Sequence, residues 1–156
     1  MSYIYPKPGV ANVEVTLNIA IESDNDAGLD IPALQDVTVQ ADTDVFTWEQ
    51  LDASSKQQIA TTSTNALTTN IVVDQASFFG DANATTTAAQ AGIFGLSNDK
   101  TLVKFTLFLG ETSEGVAGKT IEGNAYITGL SPTVSASSPV WVSPLTLTVD
   151  GEYTVS

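Results

Sequence analysis

Hydrophobic and polar positions alternate along much of this chain. Val13, Val15, Leu17 and Ile19 are interleaved with Glu14, Thr16 and Asn18. That is the period of a half-buried strand. Val37, Val39 and Ala41 alternate in the same way with Asp36, Thr38, Gln40 and Asp42. Between these segments, residues 22–32 are rich in Asp, Gly, Asn and Pro and read as a loop. The simplest arrangement is a long hairpin whose acidic loop protrudes. Residues 68–73 and 101–109 form further strands. Ile121, Ala125 and Ile127 alternate with Glu122, Asn124, Tyr126 and Thr128, with Gly123 on the apolar side as a bulge or close contact. Leu145, Leu147 and Val149 against Thr146, Thr148 and Asp150 give a final strand, and Asp150-Gly151 reads as a turn.

Other stretches are less regular. Residues 44–60 combine helical and turn signals. They read as a strand through Phe46 and Trp48, a short turn, and a strand near residues 58–62. Residues 82–96 are the best helix candidate, capped by Asp81 or Asn83 and rich in Ala. Gly92 and Gly95 weaken it, so packing must hold it. Residues 1–11 carry Pro6, Pro8 and Gly9 and read as an extended arm, with Tyr3, Ile4 and Tyr5 too apolar for an idle tail. Residues 110–118 and 131–139 read as loop or strand edge. The sum is seven or eight strands and one short helix in a single domain over residues 1–156. The expected fold is mainly β, a two-sheet antiparallel sandwich or barrel flanked by one short helix.

Composition removes whole classes of chemistry. The 156 residues contain no His, no Cys and no Arg, and five Lys stand against eighteen Asp and Glu, for a net charge of −13. Histidine acid–base catalysis, thiolate metal sites and disulfides are excluded. A basic nucleic-acid patch is not expected either, because phosphate affinity rests largely on Lys and Arg, and there are only five Lys. Hydrophobic residues make up 42% of the chain, too many for a disordered acidic segment. The first residues carry no signal-peptide pattern and no run is long enough to span a membrane, so synthesis in a cytoplasm without export is expected.

Candidate chemistry does not survive inspection of the spacings. Glu22, Asp24, Asp26 and Asp30 alternate as calcium ligands can. An EF-hand frame fails, because starting at Asp24 puts Gly28 at position 5, and starting at Glu22 puts Ala27 and Ala33 where Gly and Glu are required. A solvated acidic loop is the better reading. Carboxylate pairs for a glycosidase arise by chance among eighteen acids. Five scattered Lys form no nucleophile motif. No catalytic, cofactor or metal residues are therefore expected. Phe46, Trp48, Phe78, Phe79, Phe94, Phe105 and Phe108 read mostly as core, and Trp141 as core or interface anchor.

The order of these features resembles the major tail tube proteins of siphophages, bacteriophages with long, flexible, non-contractile tails. The resemblance rests on the apolar arm, the acidic loop at 22–32 and Val45-Phe46-Thr47-Trp48. It continues through the helix entering Gly92-Ile93-Phe94-Gly95-Leu96-Ser97-Asn98-Asp99-Lys100-Thr101. It ends with Glu122-Gly123-Asn124-Ala125-Tyr126-Ile127-Thr128-Gly129-Leu130-Ser131-Pro132 and the terminal strand to Asp150-Gly151-Glu152-Tyr153. It spans nearly the whole chain.

The resemblance implies a structural virion protein, made in the host cytoplasm and assembled into the phage tail. Six copies form a ring and stacked rings form a hollow tube that conveys DNA. One sheet of each subunit lines the lumen, and the loop and arms bridge neighbours. Partners are other copies of the chain, a tape measure protein, and terminator and tip proteins. The chain is expected to lack the C-terminal immunoglobulin-like domain of some relatives.

If the first two and last two strands line the lumen, the facing residues are Glu14, Thr16, Asn18, Asp36, Thr38, Gln40, Glu122, Asn124, Thr146 and Thr148. Such a surface offers DNA like charge and neutral polar groups. Six copies of −13 give a ring of about −78 before screening. Contacts between subunits and rings are expected at Tyr3, Ile4 and Tyr5 and at Asp24, Asp26, Leu29 and Ile31. The competing readings are an extracellular carbohydrate-binding or adhesin β-sandwich, which predicts an export signal, and a capsid decoration protein.

Overall fold

A computed structural model describes residues 3–7, 14–32, 34–52, 54–112 and 118–156. The expected strand position Val13 and parts of the arm and of loop 110–118 lie outside them. The strands are β1 (Ile4–Tyr5), β2 (Thr16–Ile21), β3 (Leu29–Asp30), β4 (Leu34–Trp48), β5 (Gln57–Val72), β6 (Val103–Phe108), β7 (Glu111–Thr112), β8 (Thr120–Leu130), β9 (Thr133–Ser135) and β10 (Ser138–Val155). Two helices, α1 (Gln75–Phe79) and α2 (Thr87–Asn98), lie between β5 and β6.

One antiparallel sheet runs in the order β3-β2-β6-β8-β10-β5-β4, with β9 added beside β10. The arm strand β1 pairs separately with β7, and the Lys7 ammonium donates to Glu111 beside them. The main sheet curls until its edges approach. Val15, Leu17 and Ile31 from one edge share a groove with Leu34 and Val37 from the other. The mainly β, antiparallel expectation holds. The two sheets are instead one continuous ladder plus the β1–β7 pair, because long strands carry the bonding from one side of the core to the other.

The alternating patterns translate directly into burial. Leu17 and Ile19, Leu67 and Ile71, Val103, Phe105 and Leu107, Ala125 and Ile127, and Leu145 and Leu147 all point into one core. Phe78, Ile93 and Leu96 from the helices close it. Gly123 makes room for the Phe105 ring, since a Cβ there would lie 3.0 Å from it.

The helical region differs from expectation. Asp74 caps an additional short helix, α1, by accepting from the Ser77 amide at 3.0 Å. The longer helix starts at Thr87, later than expected, because Thr86 rather than Asp81 or Asn83 caps it and accepts from the Ala89 amide. Asp81 instead closes a tight turn onto the Asn83 amide.

Strand pairing also departs from the simplest hairpin. β2 pairs with β3 and β6, whereas β4 pairs with β5. The long hairpin is therefore β4–β5. Segment 22–32 is not its protruding loop but folds back on the domain. Asp26 accepts from the Gly28 and Thr87 amides, and Asn18 donates to Asp30 and to the Ala27 carbonyl. Gly28, at φ +72, makes this return possible by packing against the Ile19 carbonyl. Asp150-Gly151 is likewise not a turn: β10 continues through it, with a register shift between Asp150 and Thr154.

Tyr153 anchors the base of the hairpin. Its hydroxyl lies 2.7 Å from the Gln40 carbonyl and 2.9 Å from that of Ala66. Asn65 donates to the Gly151 carbonyl at 2.8 Å. Burial raises the Tyr153 phenol above its usual value. A raised pKa in the folded state favours folding below the unfolded value and is lost as pH rises through the folded one. Tyr153→Phe loses the hydroxyl's hydrogen bond to these carbonyls and is expected to cost about 1 kcal/mol at neutral pH. It should also flatten the decline in stability above about pH 10. Urea melts of both proteins at pH 7 and pH 11 check both parts.

Candidate functional surfaces

The polar positions of successive strands fall on one face of the sheet. Thr38, Thr68 and Thr146 lie in one row across β4, β5 and β10, and Gln40, Ala66, Thr148 and Tyr126 in the next. Asp36 stands beside Asn70, whose side-chain amide donates to its carboxylate. Thr148 and Thr128 share a hydroxyl hydrogen bond at 2.8 Å. Further across, Asp150, Asn124 and Lys104 are in register, as are Glu122, Thr106 and Asn18.

Thr16, Asn18, Asp36, Thr38, Gln40, Glu122, Asn124, Thr146 and Thr148 thus share one surface, opposite the core positions of the same strands. Glu14 lies just before β2, on the groove between the sheet edges. The first two segments do not sit side by side, as expected, but near opposite edges of the sheet.

This face is rich in hydroxyls, amides and carboxylates. Lys104, exposed and in register with Asn124, is its one cation among the described strand positions. Sequence reasoning missed it, although its alternation with Val103 and Phe105 marks it as polar-side. Among the described residues no three acidic groups come together to hold a metal ion. Asp26 and Asp30, two of the alternating acids, are already hydrogen-bonded within the domain.

The expected contact residues divide. Tyr3, Ile4 and Tyr5 are exposed on the arm. Leu29 and Ile31 are buried in the chain's own core, so they are unavailable to a neighbour as placed here; the return of segment 22–32 onto the domain puts them there. Asp26 is committed to capping α2, and Asp24 is half-buried.

Two apolar surfaces were not anticipated, because most of the aromatics read as core. Phe78 and Phe105 are core, but Phe46, Phe79 and Phe94 are exposed, as is Trp141. Phe46 and Trp48 stack at 5.9 Å near the tip of β4–β5, with Ile59 opposite Phe46. The signal was present: residues 40–44 and 60–64 flank this segment with almost no apolar partners, so no core face continues there. At the other end of β5, Val73, Phe79, Pro132 and Trp141 line an apolar groove of about 330 Å³. Phe94 packs against Phe79 beside it.

β4 is also a free edge. Its fifteen residues pair with β5 on one side and with no described strand on the other. A long unpaired edge is a template for another chain.

The fold is shared with known tail structures. A chain from the tail of an empty GTA particle, solved with C6 symmetry, aligns with a TM-score of 0.63 at 10% identity, covering 93% of this chain and 96% of that one. A chain of the SPP1 tail tube aligns at 0.65 and 14% identity, covering 94% and 78%. A chain of the sheath–tube complex of an extracellular contractile injection system in its extended state aligns at 0.61 and 17%, covering 97% and 92%. No protein-family model and no curated protein matches the sequence.

Proposed function

We propose that this chain is the structural subunit of a phage tail tube and belongs in the virion. Copies join through the free edge of β4 into six-membered rings, the rings stack, and the polar face lines a lumen through which DNA passes. The observation that carries the reading is the unpaired fifteen-residue edge, which leads into an exposed apolar tip, in a chain whose fold spans tail proteins almost end to end. A monomer gains nothing from either feature, whereas an assembly of copies can cover both. The residues proposed to face the lumen are the nine on the polar face together with Glu14. The arm residues Tyr3, Ile4 and Tyr5 are proposed to touch neighbours. A tape measure protein inside the tube and capping proteins at its ends complete the assembly.

The polar face then acts by weak interaction. A passing duplex meets carboxylates, hydroxyls and amides, and counterion release from its phosphates finds little to drive it. Nothing on the face offers the forked donors of an arginine.

Purified protein examined by negative-stain microscopy tests the reading. Hollow tubes or six-fold rings are expected. Persistent monomers with glycan affinity would overturn it in favour of an adhesin.

A further inference from the structure

Two of the exposed apolar patches among the described residues lie at opposite ends of one strand. The first is the hairpin tip, where Phe46 and Ile59 are 59% and 56% exposed and Leu51 is fully exposed. The second is the groove of Val73, Phe79, Pro132 and Trp141. β5 starts at Gln57 beside the tip and ends at Val72, next to the groove, where the Val73 amide donates to the Trp141 carbonyl. Sixteen residues of strand separate the patches by roughly 50 Å. They cannot meet within one molecule.

We infer that the groove of one copy receives the β4–β5 tip of a second copy. The inference rests on the tube reading and adds the receiving surface. Reach is the first argument. Beyond Asn65, the last buried residue of β5 toward the tip, eight residues of hairpin project, roughly 26 Å. The arm residues Tyr3 and Tyr5 are held back by the β1–β7 pairing and the Lys7–Glu111 ion pair.

Chemistry is the second argument. All four groove-lining residues are apolar, and the stacked Phe46–Trp48 pair with Ile59 is an apolar knob. Charge can only orient the contact. The groove is flanked in sequence by Asp74 and Asp81, and the tip carries Lys56, exposed and only loosely paired with Glu49 at 3.7 Å. One lysine does not offset Glu49 and Asp52 on the same tip, so the apolar contact carries the affinity and the lysine orients it. A contact between different surfaces at opposite ends is head-to-tail, and set end to end along the strand direction it propagates from copy to copy.

The chain contains no cysteine, so disulfides can be placed at will. Ile59→Cys and Phe79→Cys are prepared as separate full-length proteins, mixed, oxidised and run on a non-reducing gel. A mixed disulfide dimer at several-fold higher yield than either protein alone is expected, and a variant carrying both changes should give a ladder. Tubes in the microscope without the mixed dimer would overturn the inference and leave the tube reading standing. A Tyr5→Cys protein that cross-links to Phe79→Cys in place of Ile59→Cys would also overturn it, by making the arm the occupant. The ladder without tubes would support the contact and overturn the tube reading.

Discussion

Gly92→Ala is expected to destabilise the chain by about 3 kcal/mol or more, a large share of the stability of a domain this size. Gly92 sits inside α2 at φ +71 and ψ 172, a conformation open to glycine and strained for any other residue. Space is just as restrictive. A Cβ at this position would lie 2.3 Å from the Gly80 amide nitrogen and 2.7 Å from the Phe79 carbonyl carbon. Gly80, at φ +96, faces the same contact and would put its own Cβ 2.3 Å from the Gln90 carbonyl oxygen. The two glycines let α1 and α2 pack backbone to backbone, which places Phe78 in the core and leaves Phe79 outside. Gly95→Ala is the control. It lies just past the break in α2 at Gly92, and its Cβ would meet only the Ala91 methyl, at 3.4 Å. There the change should be neutral or stabilising by up to about 1 kcal/mol. Denaturant melts of the two variants measure the difference, and equal effects would refute the account of α2.

The second large effect concerns charge on the polar face. Asp150→Lys combined with Glu122→Lys places two new cations on that face in every subunit, about twelve in each proposed six-membered ring. Each can neutralise a DNA phosphate and release its counterion. Particles assembled with this double variant are expected to eject DNA at least about tenfold more slowly at low salt, and the defect should shrink as salt rises. Asp99→Lys, at the end of α2 and away from the polar face, is the control and should leave ejection unchanged. Unaltered ejection in the double variant would sink the proposed role of the acidic face.

The strands were largely legible because alternation reports which side of a sheet is buried. Leu17 and Ile19, Phe105 and Leu107, and Leu145 and Leu147 announce the core in the sequence and form it in the structure. The same parity places the polar residues of these strands together, although it says nothing of what they face. Pairing was not legible. β2 and β4 are consecutive long strands joined through an acidic, Gly-containing segment, and the economical guess joins them. The segment instead carries Leu29 and Ile31, whose burial draws it back onto the domain. The helix start was misplaced because three residues, Asp81, Asn83 and Thr86, can each cap. Thr86 caps in the folded chain and also donates to the Gly28 carbonyl, a contact between segments 58 residues apart. The exposed aromatics were misjudged for a simpler reason: Phe46 and Trp48 were read as core from their apolar character alone, although the polar stretches 40–44 and 60–64 beside them leave no core face to join.

The position of the two apolar patches has a consequence for any polymer of this chain. If the groove of one copy receives the knob of the next, as proposed, every copy points the same way. Such a filament has chemically unlike ends, one presenting vacant grooves and the other presenting bare knobs. A protein that stops growth at one end and a protein that starts it at the other must therefore recognise different surfaces. Length can be regulated at a single end without disturbing the other, and cargo moving inside has an inherent sense of forward.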